Sequence, residues 1–384
     1  TRGISEPAEA ADFLNPTVDQ LHDPFRLVDL PVTVDRLLLA IGAGERIAIH
    51  GDYDVDGVTS TVMLQRLLEL LGANVVHFIP NRLRDGYGLE PAAIDRLAAD
   101  QVTVIVSVDC GIRSAAAAIR ARELGVDLLI TDHHEPEAML PAALAVINPK
   151  RPDCPYPNKD LAGAGVTLKL VQALCHRTNH MEWLPGFIKL AALGTLADIV
   201  PLLGENRVIA KLGLEQLSRA RHTPGLRALL ETTGLLGESI TGFHVAFRIA
   251  PRLNAAGRMS TPDLATKLLL LTDETQAEEA RLLAEKLESE NLRRRQEEAE
   301  TLTAARRQVD TDPDVGAHAM LVVWGQGWHR GVIGIVASKL VDAYHRPSLV
   351  LAVDGDSAYG SGRSIAEFDL LGSLERCSDL FTRF

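Results

Sequence analysis

Cysteine is scarce in this sequence: Cys110, Cys154, Cys175 and Cys377 are the only four in 384 residues, and no two form a C-x-x-C pair. That excludes a disulfide framework and a thiolate zinc site, and it points to unlinked thiols in a reducing, cytoplasmic compartment. No apolar run reaches the roughly 18 residues that span a bilayer, and TRGISEPAEA lacks the apolar core of a signal peptide. Aromatic residues make up only 4% of the chain, which excludes extensive stacking on bases as the main mode of binding. Excess positive charge is also missing. A net charge of −12 argues against coating nucleic acid by bulk attraction, though not against a local basic groove.

What is present is an ordinary globular composition, 46% apolar and 23% charged, in a chain long enough for two or three domains. After a first stretch that reads as irregular (FLNPTVDQLHDPF) and one helix (VDRLLLAI), strands and helices alternate. RIAIHGD, NVVHFIP, VTVIVSVDC and DLLITDH read as strands; DGVTSTVMLQRLLELLG, PAAIDRLAAD and SAAAAIRARELG read as helices. Short β-branched runs alternating with periodic helices predict an α/β fold, a parallel sheet with helices on both faces. Ligands of such sheets bind beyond the carboxyl ends of the strands. From about residue 163 to 271 the pattern turns helical. Residues 273–309 carry charge throughout without Gly or Pro, predicting a long exposed helix that joins two domains. Beyond it AMLVVWG, GVIGIVASKLVDAYH and PSLVLAVDG predict a small second α/β unit.

The acidic residues gather at the predicted strand ends. In HGDYDVDGVTS, His50, Asp52, Asp54 and Asp56 fall at every second position, and like charges so close repel unless a cation lies between them. The D-x-D-x-D-G pattern also fits a calcium loop. That loop needs Glu at its twelfth position, where this chain has Met63, and a preceding helix, where it has a strand. SVDCG places Asp109, and ITDHHEP places Asp132, His133 and His134, at later strand ends. In an extended segment His133 and His134 would point opposite ways, one to a metal and the other to substrate. Asp198 stands alone in the apolar run LGTLADIVPL, where a buried carboxylate needs a partner. Oxygen and imidazole donors of this kind suit Mn²⁺ or Mg²⁺, and a bridged pair of such ions hydrolyses phosphate esters.

HGDYDVDGVTS, SVDCG, TDHHEP and GTLADIVPL, in this order, resemble the four motifs of the DHH phosphoesterase family, and within it those of bacterial single-strand exonucleases. PNRLRDGYGL, FRIAPRLNAAGRM, WHRGVIGIVASKL and YGSGRS extend the likeness from about Leu21 to the last residue. The resemblance implies a five-stranded type of parallel sheet. It implies an N-terminal segment (1–45), a DHH domain (46–205), a helical extension (206–272), a connecting helix (273–310) and a smaller substrate-binding domain (311–384) that is incomplete at its C-terminus. It implies that Asp54, Asp56, Asp109, His133 and Asp198 hold two divalent cations, with Asp109 bridging; Asp52 is a neighbour or weaker ligand, and His50 is open. His134 would hydrogen-bond the scissile phosphate, with Asp132 orienting a histidine. Arg258, His329, Ser361 and Arg363, with Arg82 and Arg84 as further candidates, would bind DNA phosphates; YGSGRS is taken as flexible backbone. Arg293, Arg294 and Arg295 read instead as a solvated helix face.

The implied activity is 5′-to-3′ hydrolysis of single-stranded DNA to 5′-mononucleotides in repair and recombination, by a monomer with a single-strand-binding protein and a helicase as partners. Two alternatives stand at this point: a phosphodiesterase acting on short oligonucleotides, dinucleotides or pyrophosphate, and a non-catalytic replication scaffold.

Overall fold

The computed structural model describes residue 4 and residues 6–81, 88–219, 221–259 and 263–382. Two helices, α1 (Pro7–Leu14) and α2 (Leu30–Ala43), precede five strands: β1 (Arg46–Gly51), β2 (Asn74–Phe78), β3 (Val104–Val108), β4 (Asp127–Thr131) and β5 (Ala145–Ile147). Among the described residues these strands form one sheet in the order β2-β1-β3-β4-β5, with all neighbours parallel. The connections are α3 (Val55–Leu70), α4 (Pro91–Ala99) and α5 (Ala115–Glu123). Alternate strand residues serve opposite faces. Ile47, Ile49, Val104 and Val106 pack with α2, α3 and α6 (Gly163–Arg177), while Ala48, Ile105, Leu128 and Ile130 pack with α4 and α5. Both faces are therefore covered, which is why the strands read as near-continuous apolar runs. The order reverses between β1 and β3, the position where sheets of this kind open a ligand crevice.

The chain divides into two compact units. The first holds residues up to Gly257 and the stretch ending at Glu288; the second holds Arg258, Met259 and everything from Ser289. Residues 1–45, 46–205 and 206–272, separated in the sequence reading, thus fall almost wholly in the first. Its remaining helices are α7 (Pro185–Ala197), α8 (Gly204–Leu217), α9 (Pro224–Thr232), α10 (Gly242–His244) leading through a π turn (Val245–Ile249) into α11 (Ala250–Met259), and α12 (Asp263–Leu270).

The long helix α13 (Ala277–Thr311) contributes residues to both units. It is not exposed all round, as its charge predicts: Ala280, Ala284 and Leu287 enter the first core, and Ala305 and Val309 the second. Small side chains at helical spacing hide a buried stripe among the charges. Nor are Arg293, Arg294 and Arg295 equally solvated. The Arg294 side chain is 13% exposed and donates to Glu298 at 2.9 Å and to Asn291 at 3.0 Å.

The second unit continues through α14 (Pro313–Gly316), β6 (Leu321–Gln326), α15 (Ile333–Tyr344), β7 (Ser348–Asp354), β8 (Ser357–Arg363) and α16 (Leu370–Glu375). β6 pairs parallel with β7, and β7 antiparallel with β8. Leu321, Val323, Val336, Leu340, Val350 and Ala352 form its core. YGSGRS, expected as flexible backbone, is largely strand β8, because ladder pairing with β7 holds its glycines extended.

Among the described residues no helix is long and apolar enough to cross a membrane.

Candidate metal and phosphate sites

Strand β1 ends at Gly51, so the every-second-residue spacing expected through Asp56 stops there. The chain turns at Asp52 and enters α3, whose first turn points its side chains by helical rules instead. Asp52 is buried and its Oδ1 accepts the Tyr53 N–H at 2.7 Å. Asp54 caps α3, accepting the Gly57 N–H at 3.1 Å. Asp56, one turn in, is 2% exposed and accepts N–H bonds from Gly163 and Ala164 at the start of α6, each at 2.7 Å.

The neighbouring strands complete the group. Asp109 follows β3 in a left-handed conformation (φ 61°) and is buried; such strained residues collect at functional sites. His133 follows β4, and its Nε2 lies 3.2 Å from Asp109 Oδ1, 3.7 Å from Asp198 Oδ2 and 3.9 Å from Asp56 Oδ2. Asp198 is the C-cap of α7 rather than a member of its buried face, since the helix stops at Ala197; its side chain is 27% exposed.

Three sets of donor atoms lie within 4.8 Å of one another: Asp109 with His133 and His134, Asp56 with His133 and Asp198, and Asp52 with Asp54 and Asp109. Asp109 and His133 each belong to two sets. The backbone leaves room for this. A Cβ on Gly163 would lie 2.4 Å from Asp109 Oδ1, and one on Gly194 would lie 2.5 Å from Asp56 Oδ1. The sequence reading misses the Gly163–Ala164 amides and these two close approaches. Only the small residues of LAGAG and ALGTL hint at them.

His133 and His134 do not point opposite ways. β4 ends at Thr131, and past it the two rings stand side by side, centroids 4.4 Å apart. Asp132 lies outside the three sets. Its Oδ1 is 2.7 Å from His134 Nδ1 and accepts the N–H groups of His133 and His134, while its Oδ2 accepts the Ile112 N–H. His50, expected near the metals, is not among the gathered atoms. It is fully buried on β1, with Nδ1 3.5 Å from Cys110 Sγ and its ring 5.4 Å from Phe78.

The electrostatics follow from burial and crowding. Burial, with Asp198 and Asp54 adding repulsion, raises the Asp56 carboxyl well above the usual range despite its two N–H bonds. Burial and then Asp56, Asp54 and Asp52 raise Asp109 likewise. Burial and Asp54 bring Asp198 up to about 6. Burial, and then His134, lowers His133 to about 4, which keeps it a neutral ligand-type imidazole. Burial opposes ionisation of Asp132, but the bond from His134 and the backbone donors outweigh it and hold Asp132 below its ordinary value. That same bond to Asp132 raises His134. Buried atoms His133 Nε2 and Asp109 Oδ1 face each other without a hydrogen bond. Two orphaned acceptors at 3.2 Å, amid mutually repelling carboxylates, fit a cation between them.

In the second unit, the start of α15 gathers the other candidates. His329 Nδ1 accepts the Gly331 N–H at 3.0 Å, and Arg258 donates to the Gly331 carbonyl at 3.3 Å. A Cβ on Gly334 would lie 3.0 Å from Ser361 Oγ and 3.4 Å from Arg363 Nη2, so both side chains stand over the first turn of α15. Burial lowers the pKa of His329. Arg82 and Arg84 lie outside the described residues. A cavity of about 410 Å³ elsewhere in the first unit, near Phe13, His22 and Arg207, holds none of the candidate residues.

Residues 46–195 match the DHH family, N-terminal domain. A crystal structure of exonuclease RecJ bound to manganese superposes with a TM-score of 0.83 at 36% identity, over 96% of this chain and 89% of that one. The chain belongs to the RecJ group of the DHH family. A second RecJ, from Thermus thermophilus in complex with Mn²⁺, matches with a TM-score of 0.81 at 35% identity, over 97% of this chain and 52% of that one. The single-stranded-DNA-specific exonuclease RecJ of Bacillus subtilis (strain 168) is 41% identical over all of this chain and 48% of its own length. The chain thus spans about half the length of that RecJ.

Proposed function

We propose that this chain is the catalytic core of a metal-dependent exonuclease that degrades single-stranded DNA from the 5′ end and releases 5′-mononucleotides. One observation carries the reading: acidic and imidazole groups from three adjacent strand ends and a helix end converge, leaving His133 Nε2 and Asp109 Oδ1 unsatisfied. Asp54, Asp56, Asp109, His133 and Asp198 would hold two divalent cations, Mn²⁺ or Mg²⁺, with Asp109 shared and Asp52 adjacent; the all-oxygen and imidazole donor set suits either. Bound there, such ions would ready a water for attack on phosphorus and neutralise charge on the attacking and leaving oxygens.

The protein's own groups do the positioning. Asp132 fixes the ring of His134 through Nδ1 and favours its protonated form, so Nε2 becomes a donor for a scissile phosphate oxygen. Arg258 and Arg363, with the Ser361 hydroxyl and the His329 imidazole, supply donors around the start of α15 for phosphates of the strand, beside a helix N-terminus that favours anions. The finer division of the first unit into a metal-bearing domain (46–205) and a helical extension (206–272) belongs to the same reading. So do roles in repair and recombination and partnership with a single-strand-binding protein and a helicase. A scaffold without catalysis has no need to keep this many mutually repelling acids together.

The test uses 5′- and 3′-labelled single strands with Mn²⁺ or with chelator. Mononucleotide release from the 5′ label, abolished by chelator and by Asp109→Ala, is expected. Cleavage of dinucleotides alone would overturn the choice of substrate, and activity surviving Asp109→Ala would overturn the site.

A further inference from the structure

The segment from α10 through the π turn into α11 is tied to the metal-site candidates at both ends. At its start, a Cβ on Gly242 would lie 3.6 Å from Leu196, in the last turn of α7 and two residues before Asp198. Towards its end, Asn254 Oδ1 accepts the N–H of Val55, the residue after Asp54, at 3.1 Å, and Gly257 closes on Tyr53. Between these anchors stand two phenyl rings with no buried role. Phe243 is 64% exposed and Phe247 66%, with centroids 4.7 Å apart and planes inclined at 34°. Ile199, directly after Asp198, is 86% exposed in a left-handed conformation (φ 59°), which a β-branched residue adopts only under constraint. The π turn is itself a rare geometry that recurs at functional sites. Pro251, which lacks an N–H, follows it within the same helical run.

We propose that Phe243 and Phe247 form a platform on which nucleobases of the single strand stack, beside the metal-bearing groups. This rests on the exonuclease reading and adds to it a base-contacting element. The platform is continuous with segments bearing Asp54 and Asp198, so a strand whose phosphate reaches those acids passes close to it. Phenyl faces bind the π-face of every base and carry no hydrogen-bonding group, so they grip a strand without selecting its sequence. An enzyme that consumes a strand one nucleotide at a time needs such tolerance. A platform of only these two rings is compatible with the 4% aromatic content of the chain as a local contact.

The test combines kinetics and a binding probe on the full chain. F243A/F247A is expected to raise KM for a single strand about fivefold to a hundredfold, with the loss falling on KM rather than kcat. F243Y/F247Y, which keeps both rings, is expected to restore it. A strand with abasic residues near its 5′ end should bind more weakly than a normal strand to the unaltered protein, and the two should bind alike to F243A/F247A. With chelator present, a strand containing 2-aminopurine should be quenched by the unaltered protein and not by the double variant; this readout works even if no cleavage occurs, so failure of the exonuclease reading is distinguishable. Unchanged KM and unchanged quenching in F243A/F247A overturn the platform. So does equal binding of abasic and normal strands to the unaltered protein, which would leave a protein partner as the occupant of these rings.

Discussion

Asp132 and His134 show how one buried carboxylate determines what a more exposed imidazole can do. Asp132 is 1% exposed, with three backbone N–H groups and one ring nitrogen on its two oxygens, so its geometry has no slack. Asp132→Asn keeps the shape, removes the charge and offers His134 an amide instead of a carboxylate. We expect kcat on single-stranded DNA to fall about 10- to 100-fold, with Mn²⁺ affinity by calorimetry little changed. If Mn²⁺ affinity drops while kcat at saturating metal holds, Asp132 serves the metals and its assignment to His134 is wrong. Much of this site is legible residue by residue. Clustered carboxylates need an opposing charge, and Asp109, His133 and Asp198 stand out because isolated acids and paired imidazoles are conspicuous beside apolar runs. The Gly163 and Ala164 amides that grip Asp56 are not legible: every residue but proline has an N–H, and only the fold brings these across 107 and 108 residues. The role of His50 is not legible either, since strand spacing predicts its neighbours only while the strand lasts.

Among the elements, the least foreseeable feature is a buried polar knot linking α6, α8 and the segment before α2. Lys169 and Glu205 are both essentially inaccessible and 2.8 Å apart; Lys169 also donates to the His22 carbonyl at 2.6 Å, and Glu205 accepts from Tyr156 Oη at 2.7 Å and from the His22 N–H at 2.9 Å. Burial lowers the Lys169 pKa even beside that carboxylate. Breaking such a pair from one side strands a buried charge. Lys169→Met should destabilise the first unit by about 3–5 kcal/mol in denaturant titrations, and Lys169→Met/Glu205→Gln by less than the single change. A loss under about 1 kcal/mol would show that water reaches the knot and screens it. Nothing in VTLKLVQAL separates this lysine from a surface one, because helical periodicity marks a face and not its depth. Strands β1 to β4 are plain from their β-branched runs, whereas β5 has three residues after a proline-rich stretch, too few for any period. Helix α1, which buries no residue, escapes the sequence reading.

At the scale of the whole molecule, each unit has its own core, and among the described residues only the first holds the acid and imidazole cluster. A cation that binds the native cluster stabilises that unit alone, by RT ln(1 + [L]/Kd), about 2.7 kcal/mol per ion at a hundred times Kd. Proteins with separate cores commonly depart from two-state unfolding. The tryptophans provide a natural reporter: Trp324 and Trp328 lie in the second unit and Trp183 in the first. Calorimetry should therefore resolve two transitions, of which Mn²⁺ moves one, while tryptophan emission, dominated by the second unit, shifts little. The shared helix α13 is what could defeat this expectation, since it places Leu287 in one core and Ala305 in the other. A single transition that Mn²⁺ displaces as a whole, seen equally by calorimetry and by tryptophan emission, would mean that α13 transmits unfolding between the cores, and that metal stabilises the entire chain and not one part of it.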